Sequence, residues 1–184
     1  MFTSPRYSLA ARLIHWAVAV CVLILFPLGL WATWRAGANL WDDLTNTLYA
    51  WHKTIGFAVL ILMVLRLVIR LGGTLPPNPP YLAPWEINAA RATHLLLYLL
   101  LFLVPLLGWA GITAYPALEV LAGMRLPAMP FIAKGEALAR FLFDWHANIA
   151  IVLGAVLILH VAAALRHRFI KRDGIMDRMW FGSN

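Results

Sequence analysis

Apolar residues in this chain gather into four runs of roughly twenty, separated by shorter stretches rich in proline, glycine and charge. A helix needs about 20 apolar residues to cross about 30 Å of hydrocarbon. In lipid, each such segment must also satisfy its own backbone polar groups. The pattern therefore predicts four transmembrane α-helices, over about residues 11–32, 48–71, 87–112 and 141–165. Pro27 and Pro105 fall inside the first and third, where local kinks are expected. Thr74-Leu75-Pro76-Pro77-Asn78-Pro79-Pro80 makes a stiff, non-helical spacer between the second and third. The longest connection, 113–140, carries Pro116, Pro127 and Pro130. Four spans and their loops use up the chain, so the expected fold is all-α: a transmembrane four-helix bundle, one integral-membrane domain over 1–184.

Composition agrees with the pattern. Charged residues make up 12% of the chain, about half the share usual in soluble domains. The formal charge of +7 could signal nucleic acid, but the basic residues cluster at span ends and read as topology signals and headgroup contacts. With the N-terminus in the cytoplasm, that side collects ten of them (Arg6, Arg12, Arg66, Arg70, Arg91, Arg166, Arg168, Lys171, Arg172 and Arg178). The other side holds five: Arg35, Lys53, Arg125, Lys134 and Arg140. This imbalance favours both termini inside. Tryptophans 16, 31, 34, 41, 51, 85, 109 and 145 fall near span ends, as interfacial anchors should. Arg6 and Arg12 precede the first run as in a signal peptide. The stretch from Leu13 to Trp31 is too long for a signal core and contains His15, so it reads as a retained helix. The lone cysteine, Cys21, excludes a disulfide framework and reads as a packing residue; no Cys-x-x-Cys-His motif exists for covalent haem attachment.

Four histidines lie near the ends of these runs, and ionisable residues inside a membrane are costly enough to mark function. Topology fixes their depths. His15 and His160 fall on the cytoplasmic side, His52 and His146 on the opposite side. The 14 residues from His146 to His160 rise about 21 Å and return to within about 40° of the starting face, so both rings can point into one bundle interior. One such histidine would read as polar glue between helices. Four at two matched depths read instead as two metal centres. A zinc site would want three or four clustered ligands; two imidazoles on separate helices suit the two axial positions of a haem iron. Gly56, one turn after His52, and Gly154, between the two helix-four histidines, could let a flat macrocycle approach. His94, early in helix three, shares the cytoplasmic depth, and spacing alone leaves it open as a ligand.

The chain resembles the bacterial di-haem cytochrome b561 family of the inner membrane. The resemblance rests on Ile14-His15-Trp16; on His52 with Leu62-Met63-Val64-Leu65-Arg66-Leu67 and Arg70; and on His94-Leu95-Leu96-Leu97-Tyr98-Leu99-Leu100 with Pro105 and Gly108. His146-Ala147-Asn148 and His160-Val161-Ala162-Ala163-Ala164-Leu165 complete it. It implies a bacterial inner-membrane protein with two non-covalent haem b groups. His15 and His160 would hold the inner iron and His52 and His146 the outer, with the helix-three histidine no ligand. It also implies oxidation of superoxide on the periplasmic side with ubiquinone as acceptor. The 113–140 loop matches less well.

Further residues extend this reading. Arg66 and Arg70 either snorkel to headgroups or pair with haem propionates. Lys53 could draw an anion towards the outer haem. Asp144 or Asn148 could hydrogen-bond the His146 ring. His94 and His167 are candidates for quinone binding or proton supply. The alternative functions are an electron-carrier subunit linking the quinone pool to a periplasmic redox protein, and the membrane anchor of a larger dehydrogenase.

Overall fold

The structure, a computed structural model, describes residues 6–181. Four long helices dominate it: α1 (Leu9–Gly37), α2 (Asp43–Gly72), α3 (Pro84–Ala114) and α4 (Glu136–Leu165). No strand is present among the described residues, only an isolated bridge between Glu119 and Arg125. All four are long and apolar enough to span a bilayer, yet only 11% to 22% of each most apolar window is buried within the bundle. Leucines and isoleucines such as Leu23, Leu99, Ile151 and Ile158 point outwards. An apolar exterior of this extent has hydrocarbon as its solvent.

Each helix begins before the apolar stretch that announces it, and in α1, α2 and α3 the added first turn is capped by a side chain. Ser8 accepts from the Ala11 N–H at 3.3 Å. Asp42 accepts from the Thr45 N–H at 2.9 Å and ion-pairs with Arg35. Pro84 opens α3 at a position where a missing N–H costs nothing, and Glu86 reaches back to the Ala83 N–H. Such caps satisfy the orphan donors of a first turn, and they sit in the headgroup zone, where apolar content gives no signal. Pro27 and Pro105 lie inside α1 and α3.

Backbones approach closely within two hairpins, α1–α2 and α3–α4, less closely between α2 and α3, and hardly at all between α4 and either helix of the first hairpin. Side chains fill the middle of that wider gap. Val18, Val22, Val59 and Met63 form one cluster, Leu97, Leu100, Val104, Leu153 and Val156 another, and Phe26 packs against both. Cys21 packs at the edge of the first, consistent with a space-filling role.

At the end of the bundle where the described residues both begin and finish, called inner for the orientation the charges favour, α4 continues as a π-helical turn, Arg166–Lys171. The chain beyond it folds back across the bundle. Trp16 and Arg12 donate to the carbonyls of Met179 and Trp180, each at 2.9 Å, and Arg178 donates to that of Pro77 at 3.0 Å. At the other end the 115–135 loop is pinned by Trp109 donating to the Pro127 carbonyl at 2.8 Å and by the Met129 N–H donating to Thr113 at 3.0 Å.

Candidate functional site

Between the hairpins, at two levels separated by the apolar midplane, histidine rings face each other. His52 of α2 and His146 of α4 have ring centroids 6.0 Å apart with planes crossed at 79°. His15 of α1 and His160 of α4 are 6.3 Å apart and crossed at 77°. Each pair therefore bridges the gap where backbones stand apart. His94 of α3 joins the second level, 5.5 Å from His160.

The two outer rings rest on glycines of the neighbouring helix. A β-carbon on Gly29 would lie 2.9 Å from Cε1 of His52, and one on Gly108 would lie 3.1 Å from His146. Both glycines follow the helix-interior prolines closely, at Pro27-Leu28-Gly29 and Pro105-Leu106-Leu107-Gly108. Nδ1 of His146 lies 2.8 Å from the Val104 carbonyl. A carbonyl only accepts, so Nδ1 carries the proton and Nε2 keeps its lone pair for a metal. The Leu25 carbonyl faces the His52 ring, but Nδ1 there is buried without a hydrogen bond among the described residues.

These features admit haem. A metal–imidazole bond of about 2.0 Å with the ring centre about 1.1 Å beyond would put two imidazoles on opposite sides of one metal ion about 6.2 Å apart, centre to centre. The His52–His146 and His15–His160 separations fall within a few tenths of an ångström of that value, whereas His94–His160 is shorter. No cluster of three or more metal-ligating side chains exists among the described residues.

Other candidates are placed differently. Asp144 and Asn148 are exposed, and the Val104 carbonyl takes the hydrogen bond expected of them. Positions two residues either side of a helical histidine point away from it. A β-carbon on Gly154 would lie 3.1 Å from the Phe26 ring, so this glycine admits an aromatic side chain of the midplane rather than a macrocycle; one on Gly56 would meet nothing within 4 Å. The glycines that cradle histidines are Gly29 and Gly108. Their signal in the sequence is a proline two or three residues earlier, at the depth of the outer histidines. Arg66 donates to the Tyr98 hydroxyl at 3.1 Å, and Arg66 and Arg70 both lie over its ring. Arg66 is also within electrostatic reach of His15 and His160. Lys53 donates to the Ala117 carbonyl at 3.0 Å, tying α2 to the outer loop. His167 pairs with Asp173 at 2.6 Å.

A family model for prokaryotic cytochrome b561 matches residues 6–182. The chain belongs to the prokaryotic cytochrome b561 family. It is 34% identical to cytochrome b561 homolog 2 of Escherichia coli (strain K12) over 180 residues, covering 96% of this chain and 92% of that one. It is 28% identical to a probable superoxide oxidase CybB of Yersinia pestis over 178 residues, 95% of each chain. Family membership and four apolar helices together make this a multi-pass inner-membrane protein that binds b-type haem and transfers electrons in the membrane.

Proposed function

We propose that this protein holds two haem b groups and carries electrons from superoxide at its periplasmic face to ubiquinone in the membrane, with both termini in the cytoplasm. The observation that carries the reading is the pair of facing imidazoles at each of two levels, His52–His146 and His15–His160, at centroid separations of 6.0 and 6.3 Å. The name of the Yersinia pestis relative supports superoxide as the donor.

Bound haem supplies one-electron chemistry at its iron, and the chain does the rest. His52 with His146 and His15 with His160 would hold the irons, and with two protein ligands each would leave electron exchange to the edges of the group. The Val104 carbonyl fixes the tautomer of His146, and Gly29 and Gly108 set how far the outer rings can retreat from the gap. The midplane clusters around Phe26 exclude water between the levels. Arg66 and Arg70, with Tyr98 between them, are placed to pair with propionates at the inner level. At the outer end five cations, Arg35, Lys53, Arg125, Lys134 and Arg140, are matched by five carboxylates, Asp42, Asp43, Glu119, Glu136 and Asp144, so a small anion would be drawn by Lys53 locally rather than by the net charge of that face. On the inner side His94 and His167 are the groups available to a quinone and its protons.

The test has two parts. Pyridine-haemochrome analysis should return two haems per chain; one or none sinks the pairing. A superoxide pulse should reduce the haems, and added ubiquinone should reoxidise them. If superoxide leaves them oxidised while a soluble periplasmic redox protein reduces them quickly, the protein is an electron carrier between that partner and the quinone pool.

A further inference from the structure

The inner end carries an assembly that the paired imidazoles leave unexplained. After the π-helical turn the chain reverses through Arg172 and Gly174, both in the left-handed region at φ 52° and 75°. Single π-turns inside helices persist mostly where a function holds them. This reversal returns Asp173 onto His167, with Oδ2 2.6 Å from Nδ1 and side-chain exposures of 12% and 15%. The other carboxylate oxygen accepts from the Ile175 N–H at 3.3 Å, and the Asp173 main-chain carbonyl accepts the Tyr81 hydroxyl at 2.6 Å. The pair is thus held from the end of α4, from the returning chain and from the α2–α3 connection.

Neighbouring charges are already matched. Glu86 is taken by Lys171 at 2.6 Å and Arg166 at 3.1 Å, and Asp177 by Arg168 at 3.0 Å. Asp173 is the carboxylate that meets the His167 ring. His167 comes seven residues after His160, past the end of α4 and within the π-helical turn. That places it at the inner end of the row formed by His146 and His160.

We propose that Asp173 is a positioning residue for His167. It accepts the Nδ1 hydrogen, fixes the ring, and leaves Nε2 as the atom that delivers protons to a quinone headgroup at the inner end of the bundle, beyond the His15–His160 level. The proposal rests on the quinone-reducing reading above. Quinone gains two electrons and two protons to become quinol. The electrons come one at a time from two molecules of the outer one-electron donor, each oxidised by one electron. Each proton leaves Nε2 as its N–H bond breaks and a quinone O–H bond forms, and water on the cytoplasmic side reprotonates the ring. Asp173 orients the ring through its Nδ1 hydrogen, as carboxylates do behind histidines elsewhere.

The test uses the full-length, haem-loaded protein and compares Asp173→Ala, Asp173→Asn and His167→Gln. Haem content and midpoint potentials are recorded first. Reoxidation of the reduced haems is then followed with a short-chain ubiquinone and, separately, with ferricyanide, which takes an electron and no proton. Asp173→Ala should slow the limiting rate with ubiquinone about tenfold while KM, potentials and ferricyanide rates stay within twofold. Asp173→Asn keeps an acceptor for Nδ1 and should be intermediate. Equal slowing with both acceptors would mean general damage and overturns the proposal. So does an Asp173→Ala variant as fast as wild type beside a slow His167→Gln. A wild-type protein that never passes electrons to ubiquinone refutes the quinone reading itself, a result visible before any variant is made.

Discussion

Gly29→Ala is the sharpest perturbation the structure offers. The new methyl would sit 2.9 Å from Cε1 of His52, about 0.6 Å inside the roughly 3.5 Å carbon–carbon contact distance. The obstacle is the ring itself, packed between helices with its Nδ1 buried, so the imidazole must swing or α1 must move away from α2. Metal sites tolerate ligand displacements of about 0.2 Å, a third of what the methyl demands. Altering the groups that orient a metal-bound histidine costs about 10- to 100-fold in metal affinity or activity. On the two-haem reading proposed above, the variant should therefore lose the component held by His52 and His146 or show a clearly displaced potential for it, while the component held by His15 and His160 titrates as before. Gly37→Ala, where a β-carbon meets nothing within 4 Å, serves as the neutral control. The assay is a redox titration of the purified protein followed in the haem α-band, with haem content by pyridine haemochrome. Unchanged potentials and two full haems in Gly29→Ala would refute the claim that this glycine sets the position of His52; loss of the inner component alone would refute the assignment of levels.

His52→Ala and His146→Ala should each remove the same redox component, His15→Ala and His160→Ala the other, and His94→Ala should retain both; redox titration of the five variants checks this, and different losses within a pair would break the pairing. Asp42 caps α2, and the Thr45 N–H, then the Arg35 guanidinium, hold its carboxyl below the usual aspartate range. A folded value below the unfolded one gives stability that is present above the unfolded value and lost as pH falls through the folded one. Thermal unfolding in detergent should therefore show a drop in midpoint in acid that Asp42→Asn lessens; identical acid responses would show that the cap contributes nothing to the pH dependence.

The residue types alone determined the architecture. Apolar runs of spanning length leave the backbone no economical choice in lipid but helix, and the prolines between Pro76 and Pro80 leave it no choice but to stop. The sorting of His15, His52, His146 and His160 into two levels followed too, because a helix rises by a fixed amount per residue. What a linear sequence cannot carry is which surfaces of two helices meet, since that depends on how side chains from distant positions interlock. Tertiary packing decided that the outer histidines rest on Gly29 and Gly108 while Gly154 makes room for Phe26. It also gave the His146 hydrogen bond to Val104, 42 residues away, rather than to Asp144 or Asn148 nearby. It turned Lys53 towards the Ala117 carbonyl and Asp173 back onto His167. Composition sets which segments lie in the membrane; only close packing, where a few tenths of an ångström separate contact from clash, sets what each histidine can touch.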